Sequence, residues 1–117
     1  MNTHKDLIVW QKAMELVLEV YKATKTYPRE ELFGLASQMR RAVVSIPSNI
    51  AEGYGRIHTH ETERFLSIAL GSACELETQL ILSKDLGYIS TELAQQLCDK
   101  PQGIIRMLTS LIKSLNK

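Results

Sequence analysis

Apolar residues recur along this chain at intervals of three and four, the spacing of one face of an α-helix. Leu7, Trp10, Met14, Val17, Tyr21 and Thr24 mark the first such stripe, over residues 6–26. Asp6 at its start and Lys25 at its end suit the partial charges of a helix dipole. Leu16 and Leu18 fall off the stripe, so this helix carries apolar surface on a second side and calls for a second partner surface. Tyr27-Pro28 ends it, because the residue before a proline avoids the helical region.

The second stripe starts at Arg29-Glu30-Glu31, acids at a positive helix end, and reads Leu32, Leu35, Met39, Ala42, Ile46, Ile50 and Gly53. It crosses Pro47, which cannot donate to the carbonyl of Val43 and crowds that turn. The apolar register survives on both sides, so a kink is predicted rather than a break. Gly53-Tyr54-Gly55 ends this helix. A third helix is predicted over 59–86, with Glu61 and Glu63 in its first turn and Phe65, Leu66, Ala69, Ala73, Leu76 and Leu80 as its core face. Its middle is rich in small side chains, which let a neighbouring helix approach closely, and Leu86-Gly87 caps it. The fourth begins with Ser90 or Thr91 as N-cap and continues through Leu93, Leu97, Ile104, Leu108, Leu111 or Ile112, and Leu115. Pro101-Gln102-Gly103 predicts a second kink or a short non-helical link. Connections of roughly three to six residues make successive helices antiparallel. The predicted fold is all-α: one domain over residues 1–117, an antiparallel up-down-up-down four-helix bundle with proline kinks in helices 2 and 4.

Composition agrees. An apolar fraction of 44% and a charged fraction of 23% over 117 residues describe a chain able to bury a core without metal or disulfide staples. Apolar runs reach only about four residues, as in Leu7-Ile8-Val9-Trp10, too short to cross a bilayer. The opening Met-Asn-Thr-His-Lys-Asp has no signal-peptide apolar region. Cys74 and Cys98 form no CxxC and no zinc spacing. They are expected as reduced thiols packed like small hydrophobes in a cytoplasmic protein. If helices three and four fold back about residue 88, Cys98 faces residue 78, leaving Cys74 ~6 Å away along the helix and a disulfide disfavoured.

The net charge of +1 hides an uneven distribution: +2 over residues 1–56, −5 over 57–99 and +4 over 100–117. A chain this balanced grips nucleic acid only if its bases cluster on one face or are multiplied by oligomerisation. Catalytic chemistry finds little support. His58-x-x-Glu61 and His60-x-x-Glu63 reverse the order of a di-iron motif, and no second histidine cluster completes a site. His58 and His60, two apart, are expected on different helix faces, and no metal is expected. No histidine shares the helix of Cys74, and no phosphate-binding glycine loop or serine elbow occurs. Glu75 and Glu77 diverge on a helix. The expectation is a non-enzymatic protein without cofactor.

The most informative stretch is residues 38–56. Arg41, Ser45, Asn49 (with Ser48), Glu52 and Arg56 form a polar stripe beside the apolar one. Glu52 and Arg56 can pair at i,i+4, and Arg41 can reach Glu75 or Glu77 on the third helix. Ser45, Asn49, Glu52 and Glu75 are therefore candidates for a structural polar network, the reading this pattern favours. A groove for a phosphate or a partner is the alternative.

The same stretch carries a resemblance. Val9-Trp10-Gln11-Lys12-Ala13-Met14, Ser37-Gln38-Met39-Arg40-Arg41-Ala42, Ser45-Ile46-Pro47-Ser48-Asn49-Ile50-Ala51-Glu52-Gly53-Tyr54-Gly55-Arg56 and Glu75-Leu76-Glu77-Thr78-Gln79-Leu80 resemble the four-helix-bundle family linked to intervening sequences in bacterial 23S ribosomal RNA genes. Relatives include the accessory variability determinant of diversity-generating retroelements. The resemblance implies homopentamers, and in the retroelement relatives binding of nucleic acid and a reverse transcriptase. For this chain it implies an oligomeric scaffold for RNA, DNA or a nucleoprotein partner, with Arg40, Arg41, Arg56, Arg106 and Lys113 as candidate contacts. The alternative is a protein–protein interaction module acting with a neighbouring gene product.

Overall fold

The computed structural model describes residues 3–116, so Lys117 of the basic C-terminal segment lies outside the described residues. The described residues form four α-helices: α1 (Ile8–Thr24), α2 (Leu35–Tyr54), α3 (Thr59–Asp85) and α4 (Thr91–Leu115). Each helix packs against its sequence neighbours, and α1 also meets α4, whereas α1–α3 and α2–α4 are diagonal. The pairs Ser45–Ser72 and Met39–Ser83 run α2 against α3 in opposite directions, and Glu77–Gln102 and Glu63–Asn116 do the same for α3 and α4. The result is an antiparallel four-helix bundle of 44 × 23 × 22 Å.

Helix ends follow local chemistry. Thr3 and Asp6 form a reciprocal capping box on a separate 3-10 turn over His4–Asp6, so α1 starts at Ile8, later than predicted. The second helix also starts later. Arg29–Glu31 is its own 3-10 turn, and α2 begins only at Leu35, whose N–H donates to Glu31 Oε1 at 3.0 Å. Gly34 makes this cap possible: a Cβ there would stand 2.5 Å from the same oxygen. Gly87, with φ +80°, closes α3 while Tyr88 N–H donates to Ser83 O and Gly87 N–H to Lys84 O, a Schellman end. Ser90 caps α4 by accepting from Leu93 N–H at 3.0 Å.

Both internal prolines are buried and α4 runs without interruption through Pro101-Gln102-Gly103, so no non-helical link exists there. The missing proline donor removes one bond, which the packing of Leu97, Ile104 and Leu108 on either side outweighs.

The inward faces of α2, α3 and α4 carry Met39, Ile46, Ile50, Leu76, Leu80, Ile104 and Leu108, all essentially solvent-free. The first helix corrects the predicted stripe. Its buried residues are Val9, Ala13, Leu16, Val20 and Thr24; of the predicted stripe Thr24 is buried, and Leu7, Trp10 and Val17 pack partly buried against the core. The core face is thus rotated by one residue, roughly 100°. Apolar residues cover most of α1's circumference, and the choice falls on the side where Ala13 and the two valines admit α2 and α4 closely. Met14, Tyr21 and Leu18 are left exposed, Leu18 at 72%. Among the described residues α3 alone has the length and apolar composition of a membrane span, because it is sandwiched between α2 and α4 and buries Leu66, Ala69, Ala73, Leu76 and Leu80.

Candidate nucleic-acid interface

Two adjoining grooves run along the outside of the α1–α2 pair. The larger, about 640 Å³, is lined by Tyr21, Phe33, Ser37, Arg40, Arg41 and Val44 among others. The smaller, about 420 Å³, lies toward the α1–α2 connection and adds Lys25, Tyr27 and Arg29. They share Leu32 and Arg40, so they form one continuous surface. It presents four bases and the exposed rings of Tyr21 and Phe33 beside the buried Tyr27, and no acid lines either groove. None of the four bases makes an ion pair among the described residues.

Local structure fixes these groups. Arg40 leaves α2 toward the last turn of α1, donating from Nε to Thr24 Oγ1 at 2.8 Å and from Nη2 to the Tyr21 carbonyl at 3.5 Å. Its guanidinium lies 4.8 Å from the centre of the Tyr21 ring. Arg40 is therefore a strut between two helices as well as a charge on the groove wall. Arg41, one residue on, is exposed. Phe33 sits between the 3-10 turn and α2 and is 92% exposed. Its backbone is held on both sides, by Leu32 N–H on Arg29 O at 3.1 Å and Gly34 N–H on Glu31 O at 3.0 Å. The neighbouring acid, Glu31, is turned away from the groove: Tyr88 Oη donates to its second carboxylate oxygen at 2.8 Å. The Leu35 N–H, and then the Tyr88 hydroxyl, hold the Glu31 carboxyl below its ordinary value, while the same bond pushes the Tyr88 phenol up.

The remaining predicted contacts are elsewhere. Arg56 is at the opposite end of α2, paired with Glu52 at 2.6 Å and laid over Phe65 at 4.7 Å. Arg106 lines a separate α1–α4 groove together with the acids Glu15, Glu19 and Asp99, where Lys100 Nζ lies 3.5 Å from Glu19. Lys113 is exposed in the last turn of α4. The chain thus does not gather the five predicted bases into one site. Sequence reasoning missed Lys25, Arg29, Tyr21 and Phe33 as groove residues. Their signal was the interleaving of bases and aromatics over residues 21–33, hidden because Tyr21 was assigned to the core.

The expected polar network is smaller than predicted. Asn49 Nδ2 donates to Ser45 O at 2.8 Å and to Ser45 Oγ at 2.9 Å, and Ser72 Oγ reaches Ser45 Oγ at 2.9 Å. This links α2 to α3. Glu52 is engaged by Arg56, and Glu75 accepts from Gln79 at 3.3 Å, so neither carboxylate joins that cluster. Arg41 and Glu75 line one depression together with Ser45 and Ser72 but form no ion pair among the described residues.

The cysteines also differ from expectation. Cys74 is exposed, since α3 turns the small face of Ala69 and Ala73 inward instead, and Cys98 is half-buried. Glu77 faces Gln102, so Cys98 lies near residue 81 rather than 78. Burial, and then the nearby Glu77, push the Cys98 thiol up. His58 and His60 stack at 6.0 Å, because His58 precedes the helix and the rule for helical neighbours does not apply. Among the described residues no group of three or more histidine, cysteine or acidic side chains is placed to hold a metal ion.

These features define an all-α bundle with a pair of grooves on its α1–α2 face whose described lining combines bases with aromatics and holds no acid. A model of the 23S rRNA-intervening sequence protein family matches residues 5–110, and the chain belongs to that family. It is similar to a crystal structure of a protein of unknown function from the S23 ribosomal protein family of Bacteroides thetaiotaomicron VPI-5482, at 28% identity and a TM-score of 0.82. That likeness covers 91% of this chain and 99% of the other. No curated protein is similar enough to count as a match.

Proposed function

We propose that this chain is a self-associating scaffold without catalytic activity that binds RNA or a nucleoprotein through its α1–α2 face. The observation that carries this reading is the acid-free pair of grooves, in which Lys25, Arg29, Arg40 and Arg41 surround exposed aromatic rings. Phosphate contacts supply most nucleic-acid affinity, and each released counterion makes it salt-dependent. Four bases on one subunit are few, so copies of the chain would have to share the work. Ile68, Leu82 and Leu86 support self-association: they are exposed and lie within roughly 40° of one another around α3. The family resemblance suggests five copies.

The test pairs sedimentation mass with fluorescence anisotropy on a structured RNA across a salt series. A multimer whose affinity falls steeply with salt is expected. Absence of affinity at low salt refutes the RNA reading. Exposure of Leu18 and Phe33 favours the second reading, a module for protein partners or a neighbouring gene product, for which a salt-insensitive complex is the signature.

A further inference from the structure

We infer that the α1–α2 face recognises unpaired nucleotides, with a base stacked on Phe33 and the flanking phosphates met by Arg40 and Arg41. This rests on the RNA reading above and narrows it to single strands, loops and ends.

Three observations carry it. First, Phe33 is a flat apolar ring at 92% exposure on a backbone pinned by hydrogen bonds on both sides. A side chain so presented contributes nothing to the core and offers a face on which any base can stack. Bases inside a duplex are already stacked and cannot use it. Second, the ring lines the same groove as Arg41 and as Arg40, whose guanidinium is already fixed at 4.8 Å over Tyr21. A cation on one side and a ring on the other is the arrangement that single-strand binders use to hold backbone and base together. Third, a duplex needs cations in a row along its phosphates. The other predicted bases, Arg56, Arg106 and Lys113, lie at other places on the bundle, and the first of these is neutralised by Glu52.

A protein helix is a poorer occupant. Covering the groove with apolar side chains would strip water from four cations that have no acid among the described lining residues, a large penalty without compensation. Phosphates supply that compensation directly.

The test uses the full chain, a labelled oligouridine strand and an RNA duplex of equal length. The strand is expected to bind roughly tenfold tighter than the duplex at the same salt. Phe33→Ala and Phe33→Leu should each weaken strand binding by roughly tenfold, and Phe33→Trp should restore it, because only a ring stacks. Duplex binding should not respond. Arg41→Ala should lower the slope of log affinity against log salt by about 0.7 on the strand. Equal, salt-dependent binding of strand and duplex, or a Phe33→Leu chain that binds like the parent, overturns the unpaired-nucleotide inference and leaves the RNA reading standing. Failure to bind either RNA at low salt overturns both. A fall in sedimentation mass of Phe33→Ala with strand binding intact assigns the face to a second copy and overturns the inference. Phe33 is outside the core, so circular dichroism of all variants should match the parent.

Discussion

Two helical glycines should respond oppositely to the same substitution. Alanine in place of glycine inside a helix gains roughly 0.5–1 kcal/mol through lower backbone entropy in the unfolded chain and higher helix propensity. At Gly71, mid-way along α3, an added Cβ meets nothing within 4 Å, so Gly71→Ala should realise that gain. At Gly53, in the last turn of α2, the same atom would stand 3.0 Å from Phe65 Cβ and 3.1 Å from the Thr62 carbonyl oxygen. Ordinary contact begins a few tenths of an ångström further out. Neither neighbour can rotate away, since one is backbone and the other is fixed to it. The α2–α3 crossing must therefore open, and overpacking of this kind costs roughly 1–3 kcal/mol. The helical gain offsets part of it, leaving Gly53→Ala destabilised by roughly 0.5–2 kcal/mol.

Thermal unfolding followed by circular dichroism reads this directly. A chain of 117 residues loses or gains about 4 °C in Tm for each kcal/mol. Gly71→Ala should melt roughly 2–4 °C above the parent and Gly53→Ala roughly 2–8 °C below it. Gly103→Ala is the control inside α4: its nearest neighbour would be Arg106 Nη2 at 3.9 Å, a flexible end, so it should stabilise as well. If Gly53→Ala melts at or above the parent, the two helices do not approach as closely as described, and the reason offered for glycine at this position is wrong.

Other consequences follow from named contacts. Arg40→Ala removes a charged donor from Thr24 at a half-buried site and should lower stability by about 1 kcal/mol, with Arg40→Lys recovering little because an ammonium lacks the fork that reaches both Thr24 and the Tyr21 carbonyl. The Glu31 carboxyl titrates below its ordinary value of 4.5 in the folded chain, so its contribution is fully present above that value and is lost as pH falls through the lower folded one. Tyr88 titrates above 10.0, so its contribution is present below that value and is lost as pH rises through the higher folded one. Urea midpoints measured against pH should show both losses, and Glu31→Gln should flatten the acid limb. With iodoacetamide and intact-mass detection, exposed Cys74 should be alkylated ahead of Cys98, whose thiol is half-buried and pushed up; the reverse order would contradict the orientation of α3.

Fold and site were unequally legible. The third helix shows how much a sequence can carry: its stripe from Leu66 to Leu80, its Gly87 cap and its length all follow from local rules. The first helix shows the limit. Its apolar residues surround most of the cylinder, so periodicity alone cannot choose between two faces one residue apart. The choice is made by α2 and α4 packing on Ala13, a tertiary effect. That single ambiguity also concealed the candidate site, since Tyr21 belongs to the groove only once the core face is known. The start of α2 was hidden differently. Glu31 reads as the first turn of a helix, yet its side chain reaches past Gly34 to cap the helix from outside.

Charge placement is the step that a linear sum conceals. The segment with −5 is α3 and the first part of α4, and the antiparallel square puts the outer faces of those helices across the bundle from the α1–α2 face, with Glu75 at the α2–α3 seam the acid that borders Arg41. A nearly neutral chain thereby keeps one acid-free surface. The bundle is 22–23 Å across, and screening decides whether the far side is felt. At physiological ionic strength the Debye length is about 8 Å, so a phosphate at the α1–α2 grooves sees the local bases and little of the distant acids. At about 0.01 M salt it reaches roughly 30 Å, longer than the bundle is wide, and the acids then oppose binding. The plot of log affinity against log salt should therefore be steep near physiological salt and flatten at its dilute end. Charge reversal on the far side, as in Glu77→Lys with Asp99→Lys in the α3–α4 depression, should restore linearity there and leave affinity at physiological salt nearly unchanged. A plot that is straight throughout for the parent chain would mean that these acids do not oppose RNA at the grooves, and that the bundle does not separate its charges as described.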